Sequence, residues 1–419
     1  MRGVLSSAIE CAKVEKIASR EARKIVCKII FAILKVEEVK YIGNSKTHMH
    51  QLITTHDFFA LSSFLNYQLS GTPINWRAVL TLMGSENMPQ EAEEHLISAL
   101  TYLVEAYGQQ KRRLGPFAVL HPIRTAALLA RASDRPSILD LLTTLLHDKN
   151  EDVIERKYSR DDWEKLERMY QQIVEKFDSG QNWFLNERIH FLTRERDETY
   201  RCYLDRLTRQ AIKTPELIRV KLADRLDNTL DLRMDLHEDT SGTECYKLIF
   251  DALFADTYKG PDIKNHHHAK GKINGAMRLY TLFKNAVFLS YVRSRNFELD
   301  QTSRRLFSSL AATSINEAQN IILHIFKFHL RDSRKQKELL LNVMNYCREG
   351  CLRNSDKCGN YRLDGLFKNT FESENREQLA DKLDILYMDK ELMAEASVVF
   401  VTVFTNFLID RDFSIESLT

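Results

Sequence analysis

Apolar residues recur at three- and four-residue spacing along most of this chain, and no run of alternating β-branched residues interrupts them, so the fold is expected to be all-α. Helix breakers are correspondingly scarce: 14 Gly and 7 Pro among 419 residues. That length exceeds the roughly 250–300 residues at which a single core stops growing, so two or three domains are expected. Residues 1–95 read as helices broken by Gly43-Asn44-Ser45 and Gly71-Thr72-Pro73, and carry no evident chemistry. Residues 96–240 hold shorter helices with histidines and acids at their ends, where a site would be built. After Thr240-Ser241-Gly242 the chain returns to amphipathic helices through residues 241–419. No fixed-period repeat is present.

Bulk properties exclude several function classes. Sixty Lys and Arg against 58 Asp and Glu give a net charge of +2, which offers no bulk attraction for nucleic acid or an anionic membrane. The seven cysteines, at 11, 27, 202, 245, 347, 351 and 358, are too sparse for a disulfide scaffold and read as reduced thiols. Cys347, Cys351 and Cys358 lack the paired spacing of a zinc knuckle. The N-terminus has no apolar core long enough for a signal peptide, and the longest apolar stretch, Val398 to Ile409, falls short of the ~20 residues that span a bilayer. A cytoplasmic protein with no membrane partner is the expectation.

Three segments of the central region carry polar groups beside apolar faces. In Phe117 to Ala132 the apolar residues at 120, 123, 127, 128 and 130 form one buried face, and His121 stands near the helix start, where Pro122 is tolerated. The next helix has Ser137 as N-cap and runs through an apolar turn before His147 and Asp148 arrive together. A buried imidazole or carboxylate without a partner costs several kcal/mol, and one divalent cation satisfies both. In the third helix Leu217, Val220, Ala223, Leu226 and Leu230 form the apolar stripe, with Lys221, Asp224 and Asn228 on a neighbouring face. Asp224 is thus a fourth candidate ligand. Two imidazoles and two carboxylates suit Mn²⁺, Fe²⁺ or Zn²⁺ better than Ca²⁺. Such an ion serves phosphoester hydrolysis, with Glu151 or Asp152 accepting a proton from water. Upstream, Lys111-Arg112-Arg113 would bring a basic loop beside the first ligand, suited to phosphate contact and base stacking, so a nucleotide polyphosphate is the expected substrate.

These residues, LHPIRTAALLA, LLHDKNEDV and KLADRLDN in that order, resemble the hydrolase domain of RelA/SpoT-type proteins, the (p)ppGpp 3′-pyrophosphohydrolases of the HD superfamily. The resemblance spans roughly Tyr107 to Arg233. It implies a central HD helical bundle and one Mn²⁺ on His121, His147, Asp148 and Asp224, with Glu151 and Asp152 acting on the attacking water. It also implies guanine stacking by Arg112, phosphate binding by Arg113, and Lys221 and Asn228 beside the substrate. Leu114, Pro116-Phe117, Asp227 and Asp231 depart from the family's usual Ser, Glu-Pro, His and Thr, and bear on the substrate more than on the metal. Nothing after 240 resembles the alarmone synthetase or regulatory domains; the flanking helices are candidates for homo-oligomer contacts.

Other readings stand beside this one. The HD chemistry would also serve another nucleotide or phosphoester, and a non-catalytic helical scaffold would keep the ligands for stability or nucleotide binding. His56-Asp57 is a second His-Asp pair, but no acidic pair or partner helix follows it, so it is read as a helix N-terminal turn. His266, His267 and His268 are consecutive and do not converge on one ion, so a solvated polar turn is expected.

Overall fold

The structure is a computed structural model and describes residues 52–84, 88–108, 110, 117–195, 198, 200–231, 276–295, 297–348 and 390–409. Among them all regular structure is helical and no strand occurs, as the periodicity requires. Arg112, Arg113 and the rest of the basic loop, Leu114, Pro116, Gly43-Asn44-Ser45, Thr240-Ser241-Gly242, His266 to His268, Cys351 and Cys358 lie outside the described residues. No described helix is long and apolar enough to cross a membrane.

The chain divides into two compact units. One joins 49–238 to 291–313, so it begins earlier than the 96–240 expected from sequence and gains a distant segment. Its helices are α1 (Thr55–Ser70), α2 (Trp76–Thr81), α3 (Gln90–Tyr107), α4 (Leu120–Ala132), α5 (Ile138–Leu145), α6 (Lys149–Asp152), α7 (Arg160–Val174), α8 (Ser179–Leu192), α9 (Tyr200–Ala211) and α10 (Glu216–Asp231). Long-range ion pairs attach the segment 291–313 to them. Arg219 Nη2 meets Asp300 Oδ2 at 3.1 Å, Arg295 pairs with Asp205, and Arg305 Nη1 donates to the Ala132 carbonyl at 3.0 Å and to Asp134 Oδ1 at 2.7 Å.

Capping chemistry sets several helix starts. Thr54 and Asp57 form a capping box at α1, which is the place of the His56-Asp57 pair: Asp57 caps and His56 stays in solvent. Ser137 Oγ accepts from the Asp140 N–H at 3.1 Å and starts α5 as its sequence implies. Pro122 falls in the first turn of α4, where an N–H has no helical acceptor to lose.

The innermost pair is α4 against α10, the most extensive helix contact of the unit, with α5 and α1 also on α4. Here the one-faced reading of α4 needs correction. Every residue of α4 except Arg131 is buried, polar His121, Arg124 and Thr125 included. A helix surrounded by neighbours has no solvent face, and Ala126, Ala127, Ala130 and Ala132 let those neighbours approach. On α10 likewise Asp224, Arg225, Asp227, Thr229 and Asp231 are buried with the leucines.

The second unit comprises, among the described residues, 276–290, 314–348 and 390–409; the division falls within α11 (Ala276–Ser294) and α12 (Gln301–Phe328), and α13 (Ser333–Arg348) and α14 (Lys390–Ile409) complete it. Val398, Val399, Phe400 and Val401 on α14 are all buried, and Phe404 packs on Phe283 with ring centroids 5.3 Å apart. Asn285 Nδ2 donates to Ser314 Oγ at 2.8 Å, and Arg278 pairs with the buried Glu317.

Candidate metal centre

Three helices deliver polar ends to one point in the 49–238 core. α4 supplies His121 from its first turn, α5 runs into His147 and Asp148 just beyond its last turn, and α10 supplies Asp224 from its middle. The ligating atoms of His121, His147 and Asp224 all lie within 4.8 Å of one another, and all three residues are buried. Asp148 joins on the imidazole side: its Oδ2 is 3.3 Å from His121 Nε2 and 3.2 Å from His147 Nε2. Asp224 Oδ1 is 3.3 Å from His121 Nε2 and 3.7 Å from His147 Nε2.

The arrangement fits a small divalent ion by two independent criteria. Donors about 2.0–2.2 Å from one ion stand about 3.0 Å apart at right angles and about 3.5 Å apart at the tetrahedral angle. The separations of 3.2 and 3.3 Å among these donors fall in that range, and the one of 3.7 Å lies just beyond it. His147 supplies the second criterion. Its Nδ1 lies 2.7 Å from the Thr144 carbonyl, which only accepts, so the proton belongs on Nδ1 and the Nε2 lone pair faces the carboxylates. Nε2 is a buried atom with no hydrogen-bond partner. A lone pair opposite carboxylates in a buried setting needs a cation between them, either a metal or a proton.

The electrostatics register the same demand. Burial would lower the pKa of His147, yet Asp148 and Asp224 outweigh it and hold the imidazole well above 6.5. Against the opposing effect of burial, His147 and His121 push Asp148 far below the ordinary carboxylate range. Burial likewise opposes, and Lys221 foremost overcomes, so that Asp224 is also well below 3.8.

Glu151 and Asp152 part company. Glu151 is solvent-exposed at the edge of the centre, its Oε1 accepting from the Arg194 N–H at 2.7 Å; desolvation by surrounding protein, then Asp148, raises its pKa. Asp152 is turned to the protein: its Oδ2 accepts from Tyr107 at 2.8 Å, and its main-chain carbonyl accepts from Lys157 at 2.7 Å. Lys221 and Asn228, expected beside the substrate, direct their polar ends to Asp224, Lys221 Nζ at 2.9 Å from Oδ2 and Asn228 donating to Oδ1.

Residues with no assigned role in the sequence reading lie directly behind His121. Asp227 Oδ2 is 2.6 Å from His121 Nδ1, and Asp227 is bound in turn by Arg124, which also reaches Asp231. Against burial, Arg124 keeps the Asp227 carboxyl at about 2. The available signal was spacing: Arg124 follows His121 by three residues, Asp227 follows Asp224 by three, and Asp231 completes the turn.

Lower in the core, Asp140, two turns before His147, accepts from Arg188 Nη1 at 3.1 Å and from Arg219 Nη1 at 2.6 Å, tying α5 to α8 and α10. Beyond Asp148, Lys149 lies 4.1 Å above the Tyr170 ring and 3.7 Å from Glu167, which anchors α6 on α7. Against family models, characterised proteins and solved structures, the chain finds no match.

Proposed function

We propose that the chain is a metal-dependent phosphohydrolase of the HD type, releasing pyrophosphate from the 3′ position of guanosine polyphosphate alarmones such as ppGpp. The observation that carries the reading is the convergence of His121, His147, Asp148 and Asp224, with His147 Nε2 aimed into their midst, 3.2 Å from Asp148 Oδ2, and making no hydrogen bond. The substrate rests on the resemblance of the three motifs. Mn²⁺ is the ion that the resemblance implies, and Fe²⁺ and Zn²⁺ suit the same donors.

When bound, the ion supplies Lewis-acid polarisation of a phosphoryl oxygen and acidifies a water. Glu151 takes the water's proton as the bond to phosphorus forms; its exposed position admits the water, and its raised pKa makes it a stronger acceptor than an ordinary glutamate. The bond from phosphorus to the 3′ oxygen breaks and that oxygen takes up a proton from solvent, leaving GDP or GTP and pyrophosphate. Asp152, held by Tyr107, fixes the short helix α6 that presents Glu151. Lys221 and Asn228 hold Asp224 in place. Arg112 and Arg113 would take the base and phosphates, a role that rests on the resemblance and on their spacing from His121.

The test is pyrophosphate release from ppGpp by the purified, Mn²⁺-loaded protein, with Asp148→Ala as the control for contaminating hydrolases. Release that disappears in the variant is the expected result. A second reading, an HD hydrolase of another phosphoester, is favoured by Leu114 and Pro116 in the loop before His121; turnover of deoxynucleoside triphosphates or cyclic nucleotides, with ppGpp untouched, would establish it. Tight nucleotide binding with no turnover of any of these would identify a binding protein instead.

A further inference from the structure

Behind His121 the core holds a chain of charged groups for which the hydrolysis itself has no use. Arg124 grips Asp227 with two prongs, Nε to Oδ1 at 2.8 Å and Nη2 to Oδ2 at 3.0 Å, and its Nη2 meets Asp231 Oδ1 at 2.8 Å. The side chains of Arg124 and Asp227 are wholly buried, and Asp231 is 5% exposed. Ser62 Oγ, 3.3 Å from Nη1, and the Phe58 ring, 4.9 Å from the guanidinium carbon, enclose the group from α1. Stability is a poor reason for such an array, because buried ion pairs are replaced by apolar residues of equal volume with little or no loss. Its inner end supplies a better one: the last contact before the centre is Asp227 Oδ2 to His121 Nδ1, at 2.6 Å.

We propose that Asp227 is a positioning residue of the metal centre, holding His121 as the tautomer protonated on Nδ1 so that Nε2 offers its lone pair to the ion, while Arg124, itself anchored on Asp231, holds Asp227 in register. This rests on the metal-centre reading above. An ionised carboxylate only accepts, so the proton shared between Oδ2 and Nδ1 belongs to the imidazole. Nε2 then carries the lone pair, and it is the atom that faces both Asp148 and Asp224 at 3.3 Å. Carboxylates in this position behind a ligating histidine fix ring orientation and raise its basicity.

The test is Mn²⁺ titration calorimetry on the metal-stripped full-length chain, paired with the visible absorption of the Co²⁺-loaded protein at saturation. Asp227→Asn is expected to weaken Mn²⁺ binding about 10- to 100-fold and to alter the Co²⁺ bands, a change that a purely structural role would not produce. Affinity within about twofold of wild type, with the Co²⁺ spectrum unchanged, overturns the proposal. Should Asp227→Asn not fold, Asp231→Asn removes only the outer anchor and leaves the bond to His121. Its expected loss is about 2- to 5-fold, and no loss overturns the proposal equally. The wild type and Asp224→Ala separate this failure from the wider one. A wild type that takes up no divalent ion removes the metal centre and this inference with it, whereas one ion bound by wild type, lost in Asp224→Ala and unaffected in Asp227→Asn removes the positioning role alone.

Discussion

The two walls of the centre hold their histidines in different ways. On the α4–α10 wall His121 stands against a carboxylate that is itself clamped by a guanidinium, and both of these groups are wholly buried. On the α5–α6 wall His147 leans on a main-chain carbonyl, the charged brace lies two turns away at Asp140, and the wall runs out into the exposed Glu151. The difference separates two tasks. The first wall is buried and serves to hold; the second is fixed at its base and exposed at its tip, where the proposed hydrolysis would need a water and a substrate to arrive.

The most drastic way to break this contrast is to cut the brace. Asp140→Asn leaves Arg188 and Arg219 without their shared carboxylate in the core, and is expected to lower stability by about 3–5 kcal/mol in denaturant melts. A midpoint equal to wild type would show that α5 is fixed by its apolar side alone. A smaller effect is expected at the open tip. Under the proposed hydrolysis, Glu151→Gln should reduce kcat roughly 10²-fold while Mn²⁺ affinity stays put, since the residue handles a proton and not the ion. If affinity falls as much as kcat, the tip belongs to the holding machinery and the division of tasks is wrong.

The mildest expected effect is in pH dependence. In metal-free protein the folded pKa of His147 lies above 6.5, so the stability it contributes is complete below pH 6.5 and is lost as pH rises through the folded value. With metal present the ion displaces that proton, and its binding tightens as pH rises. Thermal melts upward from pH 6.5 should therefore slope downward in chelator and upward, or level, with Mn²⁺. Parallel slopes would mean that His147 is not where the ion sits.

How much of this the sequence discloses depends on whether a residue's partner is local. The arrival of His147 and Asp148 at the end of an apolar helix, and of Asp224 at the edge of a stripe, is readable because helical spacing alone places a polar group on a core face, and the structure brings these residues together with His121. The Ser137 cap and the all-α class are local in the same sense. Arg124, Asp227 and Asp231 are not. Each looks like the polar side of an amphipathic helix until α4 is laid on α10 and both prove to be central, at which point equal three-residue spacings meet. The ion pairs of 291–313 join residue types that mostly face water, so nothing in the pattern marks Asp300 or Arg305 as partners of Arg219 and Asp134.

That late segment gives the centre a timetable. Synthesis proceeds from the N-terminus, so His121, His147, Asp148 and Asp224 all leave the ribosome before the chain that secures α10 through Asp300 has been made. His121 and Asp227 are 106 residues apart, so neither the donors nor their supports can assemble from a short nascent stretch. On the proposed reading, an ion that needs all four donors and the Asp227 support could be held only once the chain has been made through α10.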